Sequence, residues 1–141
     1  MKNNALHNAL QERILLLDGG LGTMIQPDGL TEEDFRGERF RNWSCNRKGC
    51  NDLLSLTRPE VIKEIHTRYL KAGADLITTD SFNANAISLR DYGLESLARE
   101  MAAAAARIAR EAADEFTRQN PSKPRFVAGC FIFTRNANVL I

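Results

Sequence analysis

Leu15-Leu16-Leu17-Asp18-Gly19-Gly20-Leu21-Gly22-Thr23-Met24 decides how the rest of the chain is read. A leucine run ends in a carboxylate and is followed by three glycines in four positions. Apolar runs bounded by glycine mark strands buried on both faces, as in a parallel sheet covered by helices, so a strand is predicted over residues 14–17. In α/β folds the loops after the carboxyl ends of strands carry the chemistry, which puts Asp18 at the rim of a crevice. There Asp18 can receive an ammonium, while Gly19 and Gly20 let a ligand approach the backbone and offer N–H groups to a carboxylate. A zwitterion suits that pair. Asp followed by two glycines is also an ordinary tight turn, and spacing alone leaves both readings open. The dinucleotide fingerprint is excluded, because Gly20-Leu21-Gly22 lacks the third glycine, and there is no Gly-Lys-Ser/Thr phosphate loop.

Working outward, residues 1–12 predict a short polar helix with Leu6, Ala9 and Leu10 as its apolar stripe. Residues 25–57 form a long segment of mixed charge around Trp43, the kind that serves as a lid or rim, with Phe35 and Phe40 pinning it to the body. Thr57-Arg58-Pro59-Glu60 has the form of a capping box opening a helix, with Val61, Ile62, Ile65, Tyr69 and Leu70 on one face, His66 at the surface or boundary, and Gly73 as the stop. Residues 75–80 predict a second strand ending, like the first, in hydroxyl and carboxyl groups. A long helix carries Leu94, Leu97, Met101, Ile108 and Phe116 and closes at Asn120-Pro121, and residues 125–130 predict a third strand. Alternating strands and helices indicate parallel βαβ units. They fit either an open doubly wound sheet or part of a (β/α)8 barrel, and polar strand ends on each unit favour the barrel. A full barrel takes about 250 residues, so these 141 would supply only about half of one.

Composition narrows the function classes. With 43% hydrophobic and 26% charged residues the chain is globular, and 19 Lys plus Arg against 18 Asp plus Glu gives a net charge of +1. That balance offers no electrostatic case for nucleic acid or an anionic membrane. No apolar run approaches a membrane span or a signal peptide core, so a cytoplasmic location is expected. Cys45, Cys50 and Cys130 are too few and too scattered for a disulfide framework. A zinc pair at Cys45 and Cys50 would sit at the wide end of ligand spacings with no second pair to complete it.

Four stretches in order, Asp18 to Gln26, Asp34 to Phe40, Lys48 to Leu54, and Gly73 through Asn83, closely resemble the N-terminal homocysteine-binding domain of cobalamin-dependent methionine synthase. The resemblance runs from about residue 9 to Gly129. It implies the first three β/α units of an incomplete (β/α)8 TIM barrel, with a partial homocysteine-binding domain over 1–130 and a divergent tail over 131–141. It also implies methyl transfer from methylcobalamin to homocysteine, with zinc and cobalamin as the family's cofactors and the cobalamin and folate modules as partners. Asp18, Gly19 and Gly20 would touch the amino-acid end of homocysteine, with Thr79 assisting from the second strand. Zinc matters to such a reaction because it deprotonates a thiol yet leaves it nucleophilic. The family's three zinc cysteines fall on strands beyond this chain, and Cys45, Cys50 and Cys130 do not match them, so neither a metal ligand nor a catalytic residue is assigned. The expectation is an inactive or partial homocysteine-binding fragment. The alternatives are a small non-catalytic module holding an amino acid or acidic metabolite, and a truncated product without a function of its own.

Overall fold

A computed structural model describes residues 5–130; the 131–141 tail lies outside the described residues. Helix α1 (Ala5–Glu12) leads into the leucine run, after which come α2 (Leu21–Ile25), α3 (Glu32–Arg36), α4 (Leu54–Thr57) and α5 (Pro59–Ala72). Strand β1 (Leu76–Thr78) follows, then α6 (Ala86–Leu89), the long α7 (Ala98–Gln119) and strand β2 (Phe126–Ala128). β1 and β2 are parallel neighbours in the register Leu76 to Phe126, Ile77 to Val127 and Thr78 to Ala128. The leucine run joins the other side of β1 through a single parallel bridge, Leu17 to Leu76. Its backbone is nonetheless tied on, the Leu76 N–H donating to the Leu16 carbonyl at 3.0 Å and the Asp18 N–H to the Leu76 carbonyl at 2.9 Å.

The expectation that the first strand is buried on both faces is corrected here. Ile14, Leu16 and Leu17 are 88%, 57% and 58% exposed, because no strand among the described residues pairs with their outer edge. The helices cover one face of the sheet only. Ile77 and Val127 turn toward Leu70 and Ala74 at the end of α5 and toward Ala109, Ala112 and Ala113 of α7, whose small side chains let the helix lie close. A second cluster joins Ile25, Phe35, Leu54, Ile62, Ile65 and Ile108, and a third joins Phe40, Cys50, Leu53, Leu89, Leu94 and Met101. Phe35 and Phe40 are therefore the pins expected of the rim segment, one in each cluster.

Helix ends follow local chemistry with one correction. Gly73, at φ 111°, closes α5 in the left-handed conformation that glycine adopts without strain, and Asn120 closes α7 just before Pro121. The capping box expected at Thr57 and Glu60 does not form. Residues up to Thr57 make the turn α4, so the Thr57 hydroxyl donates back to the Leu53 carbonyl, Arg58 takes the cap position, and Glu60 pairs with the Arg58 guanidinium. A capping box is found instead at Thr31, whose hydroxyl accepts from the Asp34 N–H while the Asp34 carboxylate accepts from the Thr31 N–H. Thr31→Ala is expected to cost about 1 kcal/mol in a urea titration, and an unchanged midpoint would show that the box is idle.

His66 is a second correction. Expected at the surface or boundary, it is fully buried, with neither ring nitrogen hydrogen-bonded. No helix of the described residues is long and apolar enough to cross a membrane.

Candidate functional site at the carboxyl ends of the strands

The carboxyl ends of the leucine run, β1 and β2 bring together residues 18–20, 78–81 and 129–130. Asp18 is half-buried against β1. Its Oδ2 accepts the Thr78 N–H at 2.9 Å and its Oδ1 accepts the Thr78 hydroxyl at 3.0 Å. Burial pushes the Asp18 carboxyl above its ordinary pKa and the bonds from Thr78 pull it back only in part. Among the described residues no Lys, Arg or His pairs with it. A carboxylate partly withdrawn from water, without a protein cation, is a receptor for an external one.

Gly19 and Gly20 pass beside Tyr69 of α5. A Cβ at Gly19 would stand 2.9 Å from the Tyr69 hydroxyl oxygen, so only glycine fits there without displacing the ring. The Gly20 carbonyl accepts the Thr23 hydroxyl at 2.9 Å and the Tyr69 hydroxyl at 3.1 Å. The carbonyl side of the loop is thus occupied, while no acceptor among the described residues takes the Gly19 or Gly20 N–H. Those two donors remain for a ligand.

Thr79 stands on the other side of its strand end from this pair. It is buried, its hydroxyl lies 2.7 Å from that of Ser81 and accepts the Cys130 N–H at 2.9 Å, and the Ser81 hydroxyl donates to the Cys130 carbonyl. Thr79 therefore stitches β1 to the end of β2, and Thr78 is the threonine that touches Asp18. Sequence reasoning passed over Thr78 and Tyr69; alternation along β1 was the one available signal, since it puts Thr78 and Thr79 on opposite faces.

Two buried carboxyls lie deeper. Asp80 takes the Ser55 hydroxyl at 3.3 Å and is raised well above the carboxylate range by burial and then by Asp52. Asp52 accepts the Asn83 N–H at 2.8 Å and is itself raised by burial. Asp52 and Asn83, with Cys50 and Tyr92, line a cavity of about 280 Å³.

The cysteines do not converge. Cys45 is exposed, Cys50 buried and Cys130 half-buried, and among the described residues no three His, Cys, Asp or Glu side chains are grouped to hold a metal ion. Burial lifts the Cys50 thiol to about 11, so it is a thiol and not a thiolate at neutral pH.

The homocysteine S-methyltransferase family pattern matches residues 15–135. Among solved structures, the oxidized form of the homocysteine methyltransferase MmuM from Escherichia coli is similar at 26% identity and a TM-score of 0.70, over 92% of this chain and 41% of that one. The metallated form of the same protein gives 25% identity and a TM-score of 0.67, over 89% and 40%. The chain spans about two fifths of the length of the structures it matches.

Proposed function

The chain belongs to the homocysteine S-methyltransferase family, and from that premise we propose that it is the homocysteine-holding part of a methyltransferase of the methionine synthase type. In this reading it supplies the first three β/α units of a (β/α)8 barrel, a partial domain over 1–130, with the divergent tail at 131–141. The family match itself reaches residue 135. The overall reaction gives the homocysteine sulfur a methyl group in exchange for its proton, with methylcobalamin as donor and a cytoplasmic setting. Alone, the chain binds without transferring.

The observation that carries the reading is the unpaired, half-buried Asp18 beside two unclaimed glycine N–H groups, inside the family match. Asp18 receives the ammonium of homocysteine, and Gly19 and Gly20 receive its carboxylate. Thr79 serves the same end from the second strand by holding Ser81 and Cys130 in place. An ammonium beside Asp18 also favours its charged form, which burial alone disfavours. Zinc, which the family implies, does not fit the described residues: three separated cysteines, one of them a buried thiol, cannot close a tetrahedral site.

The test is calorimetric titration of homocysteine into the full chain. Asp18→Asn keeps the shape and an oxygen for the Thr78 N–H, its amide donating to the Thr78 hydroxyl instead of accepting from it, but removes the charge, and is expected to weaken binding by roughly 1.5 kcal/mol or more, about tenfold. Equal affinity in the two proteins removes Asp18 from the site. The small binding module remains the second reading, favoured by the ungrouped cysteines; equal affinity for homocysteine and for amino acids without a thiol would select it.

A further inference from the structure

We infer that Tyr69 is the positioning residue that holds the Gly19–Gly20 turn open to its ligand, an inference that rests on the proposed binding of an amino acid there. Tyr69 reaches the turn from α5, forty-nine residues along the chain, and donates its hydroxyl to the Gly20 carbonyl at 3.1 Å. Its ring is not free to follow the loop, because it packs against two of the core clusters, the one that contains Ile62 and Ile65 and the one that contains Leu70 and Ala74. The ring edge is also the wall of the turn at Gly19, with the hydroxyl oxygen 2.9 Å and two ring carbons 3.4 Å from where a Cβ would sit.

These contacts do one thing together. A peptide unit whose carbonyl is held on one side must present its N–H on the other, since the two are fixed trans across a planar bond. Clamping the Gly20 carbonyl between the hydroxyls of Tyr69 and Thr23 therefore fixes the direction of the N–H next in sequence, that of Leu21, and restrains the glycines just before it. Two adjacent glycines would otherwise wander over much of φ/ψ space, and a ligand would have to order them on arrival. Tyr69 anchors this order to the core, whereas Thr23 belongs to the same local segment and moves with it. Tyr69 touches no reacting atom, so its contribution is to the readiness of the site.

The ring-preserving Tyr69→Phe variant of the full chain tests this in two independent ways. Backbone amide order parameters at Gly19 and Gly20, measured by NMR relaxation, are expected to fall from about 0.85 toward about 0.6 while those in the middle of α7 stay as they were. Homocysteine affinity, measured by calorimetry, is expected to fall about fivefold. A double-mutant cycle adds a sharper readout: Gly19→Ala collides with the tyrosine hydroxyl, and Tyr69→Phe removes the colliding atom, leaving contacts of 3.4 Å. The phenylalanine is thus expected to recover part of the stability that Gly19→Ala loses, a result that a merely structural tyrosine distant from the turn would not give. Unchanged order parameters at Gly19 and Gly20, or strictly additive losses in the cycle, overturn the inference. If the wild-type chain fails to bind homocysteine while the order parameters and the cycle behave as expected, the proposed ligand is wrong and Tyr69 still holds the turn.

Discussion

Asp75→Asn is expected to destabilise the chain by about 3 kcal/mol, the largest loss any conservative single substitution should produce. Asp75 is only 1% exposed, and it sits at the amino ends of the strands, opposite the candidate site. Its Oδ1 lies 2.8 Å from the Arg13 guanidinium, 3.6 Å from Lys123 Nζ and 3.9 Å from Arg125, which is itself 8% exposed. Its Oδ2 accepts the Leu16 N–H at 3.0 Å, its own N–H donates to the Leu16 carbonyl, and its carbonyl accepts the Phe126 N–H. One residue thus binds the leucine run, β1 and β2 together and supplies the negative charge that three cations share. Asparagine can keep the oxygen for Leu16 but not the charge, and the buried Arg125 is left with like-charged neighbours, the circumstance in which breaking a buried pair costs several kcal/mol. With a urea m-value of roughly 1.5 kcal/mol/M, the unfolding midpoint should fall by about 2 M. A fall worth less than 1 kcal/mol would mean that solvent screens the cluster after all. The same carboxylate is held below its ordinary pKa, in spite of its burial, by the Leu16 N–H and by Arg13, so its contribution is present above the unfolded value and is lost as pH falls through the folded one.

Features of this chain that are local are legible in its sequence, and those that join distant residues are not. Gly73 after an apolar-faced segment, Asn120-Pro121 after another, and a leucine run broken by Asp18-Gly19-Gly20 are signals contained in a few residues, and each stands where it was expected. Asp75 could not be read so, because its partners Arg13, Lys123 and Arg125 lie 48 to 62 residues away and no periodicity links a carboxylate to them. The Asp18 to Thr78 contact, sixty residues apart, is of the same kind. The failed capping box at Thr57 has a different origin: the motif was present, but the preceding residues were able to make a turn of their own and claimed the threonine hydroxyl first. The exposed leucines of the first strand show the reverse case. Their sequence fits burial on both faces, and the described residues provide only one neighbour.

His66 is the feature whose position was legible and whose residue type misled. It stands four residues after Ile62 and four before Leu70, in line with the buried stripe of α5, yet a histidine among charged neighbours reads more naturally as surface. Buried with both nitrogens unpartnered, it is held down to a pKa of about 4 by desolvation alone. The unfolded chain protonates the same ring near 6.5, so between 6.5 and 4 the unfolded state takes up a proton that the folded state refuses, and stability falls as pH falls. The full difference of about 2.5 pKa units corresponds to roughly 3 kcal/mol below pH 4, of which about 2 kcal/mol is already lost at pH 5. Asp52 and Asp80, raised in the folded state, act with the opposite sign and gain stability on acidification, so the wild-type profile alone is a sum. Comparison with His66→Leu, of similar volume and without the orphaned nitrogens, isolates the histidine. The variant is expected to match or exceed the wild type at pH 7.5, and its advantage is expected to widen by about 2 kcal/mol at pH 5. Parallel stability profiles for the two proteins over that range would mean that His66 reaches water or a hydrogen-bond partner in solution and contributes no acid sensitivity.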